Sequence, residues 1–286
     1  MSLYIDSAAR SALGPLLASG IFAGVTTNPA VLDRAGYATA DRARLAQDLL
    51  RAGAGRVFVQ LVGATEQALM DDAVRLAAAF RQPLSHPANE AADATASQPA
   101  DADATASQPA CAGAGAAAFR QPLSHPADEA ADAGAAASQP VSQTADAPAV
   151  SAIVFKVPAT GPGYRALGRV RELGHPILLT AVYHPAQALA AAASGAVAYI
   201  APYLGRMCDQ GIDGETAVRQ IDAICRRADP PIETLVASVR DLDQVGRLAA
   251  QDVPSFTLPL ALAEALVNHP PSVAAAAEFD KVAGVG

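Results

Sequence analysis

Lysine is scarce in this chain. Of 20 basic side chains only Lys156 and Lys281 are lysine; the rest are arginine. Lys156 follows Ala-Ile-Val-Phe and precedes Val-Pro, so it closes an apolar, strand-like run, Ile153–Pro158. Burying an ammonium costs solvation and lowers its pKa. A lysine neutral near pH 7 can attack a ketone and become an iminium ion, which accepts the electrons of a breaking C–C bond. Arginine stays protonated and cannot do this. A snorkelling or ion-paired lysine is the structural alternative. Other polar groups recur at the ends of apolar runs: Asp6, Thr26-Thr27-Asn28, Gln60, Thr180, Tyr203, Ser238 and Thr257. Any one of them can be a turn or helix-cap residue. Together with Lys156 they describe polar chemistry collected at one end of many strands. Asp6 is either an ion-pair partner for Lys156 or a binder of substrate hydroxyls. No His-Glu-x-x-His motif or histidine cluster is present, so neither a metal site nor a cofactor is expected.

Those run ends need elements to hold them together. Strands are read at Leu3–Asp6, Gly24–Thr26, Val57–Leu61, Ile153–Lys156, Ile177–Thr180, Ala198–Ala201, Thr234–Ala237 and Ser255–Thr257. Each is short and apolar through most of its length, as parallel strands covered on both faces are. Helices alternate with them: Ala8–Ser19, Thr39–Ala52, Thr65–Phe80 with Thr65 as N-cap, Gly163–Leu173, Pro185–Ser194, Asp213–Arg227 and Asp241–Ala250. Pro259–Asn268 and Ser272–Val282 close the chain as helices. About eight strand–helix units predict an α/β fold, a single-domain (β/α)8 TIM barrel whose catalytic groups sit at the C-terminal ends of the strands. A doubly wound open sheet is the alternative, but no Gly-x-Gly-x-x-Gly follows the first strand.

The segment from Arg81 to Val150 differs from the rest. It is rich in Ala, Pro, Ser, Gln and Asp and repeats itself: Phe80 to Pro87 returns as Phe119 to Pro126, and Thr95 to Ala100 as Thr105 to Ala110. So polar a stretch cannot offset its chain entropy by burial, and a disordered insertion grown by duplication is expected at 81–150. It divides the barrel into 1–80 and 151–286. Its eight acids and two arginines carry −6 of the net −8, leaving the remainder at −2.

At 286 residues and 51% hydrophobic, the chain has material for a large core. Its net charge of −8 argues against nucleic acid as a partner. No apolar run is long enough to span a membrane and no leader peptide is visible, so a cytoplasmic protein is expected. Cys111, Cys208 and Cys225 have no metal or redox spacing, and a sparse, odd count suits a reducing compartment.

Several motifs resemble those of the transaldolase family. They are Gly24-Val25-Thr26-Thr27-Asn28-Pro29, Val154-Phe155-Lys156-Val157-Pro158-Ala159-Thr160, Thr180-Ala181-Val182-Tyr183, Ala201-Pro202-Tyr203-Leu204-Gly205-Arg206, Ala237-Ser238 and Thr257-Leu258-Pro259-Leu260. They occur in the family's order along the whole chain outside the insertion. The resemblance implies a metal-free class I aldolase barrel with Lys156 as the imine-forming residue. Within the family, Gln60 and Tyr203 look like the fructose-6-phosphate aldolase branch, where classical transaldolases carry glutamate and phenylalanine. On that resemblance Tyr203 transfers the proton, helped by a water held by Gln60 and Thr180. Asp6, Asn28, Thr26 and Ser238 bind the dihydroxyacetone unit, and Arg206 with Arg240 holds the phosphate of a sugar-phosphate substrate. Gly205-Arg206 departs toward the classical transaldolases, and Gly63 blurs the loop after Gln60, so lyase and transferase readings both stay open. A non-catalytic sugar-phosphate binder is the different-class alternative. The resemblance also implies a ring-shaped homo-oligomer in which the C-terminal helix reaches a neighbouring subunit.

Overall fold

The computed structural model describes residues 1–81 and 152–285. Eight parallel strands close on themselves in sequence order. They are β1 (Ser2–Asp6), β2 (Phe22–Thr26), β3 (Arg56–Gln60), β4 (Ile153–Pro158), β5 (Ile177–Val182), β6 (Tyr199–Pro202), β7 (Glu233–Val236) and β8 (Ser255–Pro259). The helices are α1 (Arg10–Ala18), α2 (Pro29–Arg34), α3 (Arg42–Arg51), α4 (Glu66–Arg81), α5 (Gly161–Arg171) and α6 (Pro185–Ser194), then α7 (Leu204–Asp209), α8 (Gly214–Cys225), α9 (Leu242–Ala249), α10 (Leu260–Val267) and α11 (Pro270–Ala283). This is the (β/α)8 barrel expected, and closure of β8 on β1 rules out the open sheet. The disordered insertion read at 81–150 falls almost wholly on residues 82–151, outside those described.

Two apolar shells hold the barrel. Because side chains alternate along a strand, one set points inward and the other meets the helices. The inner set includes Tyr4, Phe58, Val154, Leu178, Tyr199 and Leu235. Tyr4 and Tyr199 stand edge-on to Phe58, with ring centroids 5.1 and 5.4 Å away. The outer set, with Ile5, Val25, Val57, Phe155 and Leu179, packs under the helices. At the N-terminal end of the barrel, Arg56 Nη1 donates to the Tyr199 hydroxyl at 2.5 Å, while the Ser255 hydroxyl bonds Glu233. Gly24 is required where β2 meets β3, because a Cβ there would lie 1.9 Å from the Arg56 carbonyl oxygen.

Several helix starts carry the caps their sequences advertise. The Thr65 hydroxyl accepts from the Ala68 N–H at 3.1 Å, Asp241 from Gln244 at 2.7 Å and Thr160 from Gly163 at 3.3 Å. Most element ends shift from expectation by a residue or two, and a few shifts have structural content. The Thr39–Ala52 helix opens with a 3-10 turn before α3, Pro259 ends β8 rather than starting α10, and β5 runs on to Val182. The short helices α2 and α7 are additional. No described helix is long and apolar enough to cross a membrane.

Candidate active site

Counting by twos from the inner aromatic layer leads to the mouth. Tyr4 leads to Asp6, Phe58 to Gln60, Val154 to Lys156, Leu178 to Thr180 and Tyr199 through Ala201 to Tyr203. In the strand pairing, Gln60 lies beside Lys156 and Asp6 beside Thr26. Lys156 is 5% exposed, and its Nζ donates to the Thr27 carbonyl at 2.8 Å. That carbonyl is held in place because both the Thr27 amide and its hydroxyl donate to the Phe58 carbonyl, at 3.1 and 3.0 Å. Burial pushes the Lys156 amine below its ordinary pKa, and the Asp6 carboxylate opposes that shift in part. The result is a partly dried amine with one neutral acceptor and one nearby negative charge.

Across the mouth, the Tyr203 hydroxyl lies 3.0 Å from the Thr180 hydroxyl. Burial raises the phenol's pKa; the Thr180 bond lowers it, Asp6 raises it and Arg206 lowers it. The Arg206 guanidinium sits over the Tyr203 ring, 4.9 Å from its centroid, and bonds the side chain of Tyr183. Two non-glycine residues in the left-handed region, Ala181 (φ 58°) and Ser238 (φ 58°), flank this side. Ala181 marks an irregularity in the β5–β6 register just after Thr180. Such strain persists only where the surroundings fix it.

The remaining candidates are placed less directly. Thr26 is buried, and its hydroxyl is engaged by Asp6 at 2.8 Å and Thr257 at 2.7 Å. Asn28 caps α2, its Oδ1 accepting from the Val31 N–H at 3.0 Å. Gln60 donates to the Leu61 carbonyl at 3.3 Å. The Ser238 carbonyl accepts from the Gly205 N–H at 2.7 Å. Arg240 is exposed and paired with Asp209 at 2.5 Å. Sequence reasoning gave Thr257 a place at a strand end but no role, and left out Tyr183, Gly205 and Asp209. The first three lie within motifs already singled out, and their partners are visible only in three dimensions. No cluster of metal-ligating side chains occurs among the described residues.

A closed parallel barrel with a buried amine, a hydroxyl pair and an arginine at its C-terminal mouth defines a class: (β/α)8 barrels, whose active sites sit at that face. Residues 124–284, more than half of the chain, match the family model described as Transaldolase/Fructose-6-phosphate aldolase. The chain belongs to the transaldolase/fructose-6-phosphate aldolase family. It is similar to proteins named "Probable transaldolase" from Hydrogenobaculum sp. (strain Y04AAS1), Chelativorans sp. (strain BNC1) and Brucella ovis. Each is 36% identical over 118 residues, which is 41% of this chain and 54% of the relative. The chain thus spans about half the length of the curated relatives it matches.

Proposed function

We propose that this protein is a Schiff-base aldolase that cleaves fructose 6-phosphate, or a similar ketose phosphate, to dihydroxyacetone and glyceraldehyde 3-phosphate. The observation that carries the reading is Lys156: a buried amine, its pKa lowered, at the inner end of a barrel strand. Its neutral nitrogen attacks the C2 ketone, and loss of water gives the iminium ion. The C3–C4 bond breaks, its electron pair moves into the iminium to form an enamine, and the C4 hydroxyl proton leaves. That proton is relayed through the Thr180–Tyr203 hydroxyl pair, which passes one of its own protons to a water as it takes one up, and the aldehyde departs. Protonation of the enamine at C3 and addition of water release dihydroxyacetone and restore the amine. Asp6, Asn28 and Ser238, at or just past their strand ends, suit the substrate hydroxyls. Arg206 suits a phosphate, since its guanidinium stands at the rim.

A transferase reading has its own support in Gly205-Arg206 and in the names of the relatives. There the enamine waits for an aldose phosphate instead of a proton. Fructose 6-phosphate supplied alone separates the two. Release of free dihydroxyacetone supports cleavage, and turnover only with added aldose phosphate supports transfer. Borohydride with substrate should modify Lys156 in both cases; an unmodified lysine would leave only a non-catalytic binder.

The expected ring-shaped oligomer is also part of this proposal. None of α11 is buried, and Val273, Phe279 and Val282 stand exposed on it. A helix whose apolar side chains none of the described residues bury suits a neighbouring subunit. Deleting α11 should lower the oligomeric state measured by light scattering.

A further inference from the structure

We propose that Thr257 is a positioning residue that acts through Thr26 to hold the Asp6 carboxylate beside Lys156. The inference rests on the Schiff-base reading above for its catalytic meaning, but its geometry stands apart from it. The Thr26 hydroxyl donates to Asp6 Oδ1 at 2.8 Å. An ionised carboxylate accepts only, so this bond uses the single proton Thr26 has. The 2.7 Å contact between Thr26 and Thr257 therefore has Thr257 as donor. The chain runs in one direction, Thr257 to Thr26 to Asp6, and each link polarises the next.

Its placement follows from the barrel. Strand β1 lies between β2 and β8, with Asp6 in register with Thr26 and Tyr4 in register with Thr257. The two threonines thus reach across from both neighbours of β1, on its inner side, just below Asp6. Both are almost fully buried, at 1% and 3% exposure. Threonine is stiff about χ1, so two buried threonines make a rigid stop for the carboxylate. Asp6 is the charged group that acts on Lys156, and it acts on Tyr203 as well. Fixing one Asp6 oxygen fixes the charge felt by both groups and leaves the other oxygen for a substrate hydroxyl. Thr26 accordingly serves the site from beneath rather than by touching substrate.

The test is Thr257→Val, which keeps the shape and removes the donor, with Thr257→Ser to restore it. Lysine labelled at Cε gives an NMR titration with two signals, because the chain contains only Lys156 and Lys281. In Thr257→Val, the Lys156 midpoint should fall to lower pH as Asp6 loses its anchor, while Lys281 stays put. Steady-state kcat/KM should fall about tenfold, the worth of one lost hydrogen bond. Thr257→Ser should return both toward wild type, and Thr257→Ala repeats the test if valine perturbs folding. An unmoved Lys156 midpoint in valine and alanine variants overturns the proposal, as does a kinetic loss that serine does not repair. Absence of borohydride trapping in the wild type would overturn the Schiff-base reading alone, since the titration needs no turnover.

Discussion

Replacing Tyr203 with phenylalanine separates chemistry from structure. The substitution removes one oxygen and leaves the ring, with its neighbours Tyr183 at 5.7 Å between centroids and the Arg206 guanidinium above it, in place. The loss to stability is one hydrogen bond, that to Thr180 at 3.0 Å. Thr180 is 1% exposed, so its hydroxyl is left buried without this partner, at a cost of about 1–3 kcal/mol. The loss to catalysis is that of a positioned proton-transfer group, about 10²–10⁴-fold. At about 1.4 kcal/mol per decade, that is roughly 3–5 kcal/mol on the barrier. The two effects are read by different assays. Urea unfolding reports the first, and dihydroxyacetone release from fructose 6-phosphate the second. Borohydride trapping at Lys156 with dihydroxyacetone should persist, because imine formation needs the amine and not the phenol. With an aldose phosphate present, transfer should survive better than cleavage. An unchanged cleavage rate would refute the role of the hydroxyl. Equal loss of cleavage and trapping would show that the site had merely come apart.

Four further outcomes are expected. Burial lowers the Lys156 pKa, so the amine is neutral above a midpoint lying below the ordinary 10.5; trapping should rise with pH through that midpoint, and Asp6→Asn should move it lower by removing the charge that opposes the shift. By the same linkage the unfolded chain binds more protons between that midpoint and 10.5, so stability should climb with pH across this window and the climb should vanish in Lys156→Met. Asp72→Ala should cost about 3–5 kcal/mol in urea unfolding, because the buried Asp72 carboxylate bonds the buried Arg42 guanidinium and accepts from the Val62 N–H at 2.9 Å in the loop after Gln60; a cost below about 1 kcal/mol would refute the clamp. Gly205→Ala places a Cβ 2.4 Å from the Ser238 carbonyl oxygen and 2.4 Å from Arg240 Nε, so the loop after β7 must move; KM for a phosphorylated substrate should rise about tenfold or more while Lys156 trapping with dihydroxyacetone remains.

The strands were legible because parallel strands buried on both faces read as unbroken apolar runs, and the polar residue ending each run was legible by contrast. That is why Lys156, Gln60, Thr180 and Asp6 were found at the mouth. The Thr65 cap was legible because its signal is local. What escaped depended on contacts between distant segments. Helices α2 and α7 have only six residues each, too few for a helical period to show. Thr26 resembled a substrate contact, and only the pairing of β1 with both β2 and β8 reveals that Asp6 and Thr257 engage its hydroxyl. The pairing of the Arg240 guanidinium with Asp209 on α7, a residue 31 positions earlier, is likewise invisible in the sequence. The register irregularity at Ala181 has no glycine to announce it.

The described chain stops at Arg81, the last residue of α4, and resumes just before β4. In a parallel barrel both points lie at the strands' N-terminal rim, whereas Lys156 lies toward the C-terminal mouth. There Phe80 stacks near His175, 6.1 Å between centroids, and His175 lies 4.4 Å from Phe155, so the seam is sealed by rings of its own. The chain between these two points thus leaves and re-enters the barrel on the rim opposite the one toward which Lys156 lies. Its two anchor points, Arg81 and the start of β4, can serve as ends for a long connection without being drawn toward the amine.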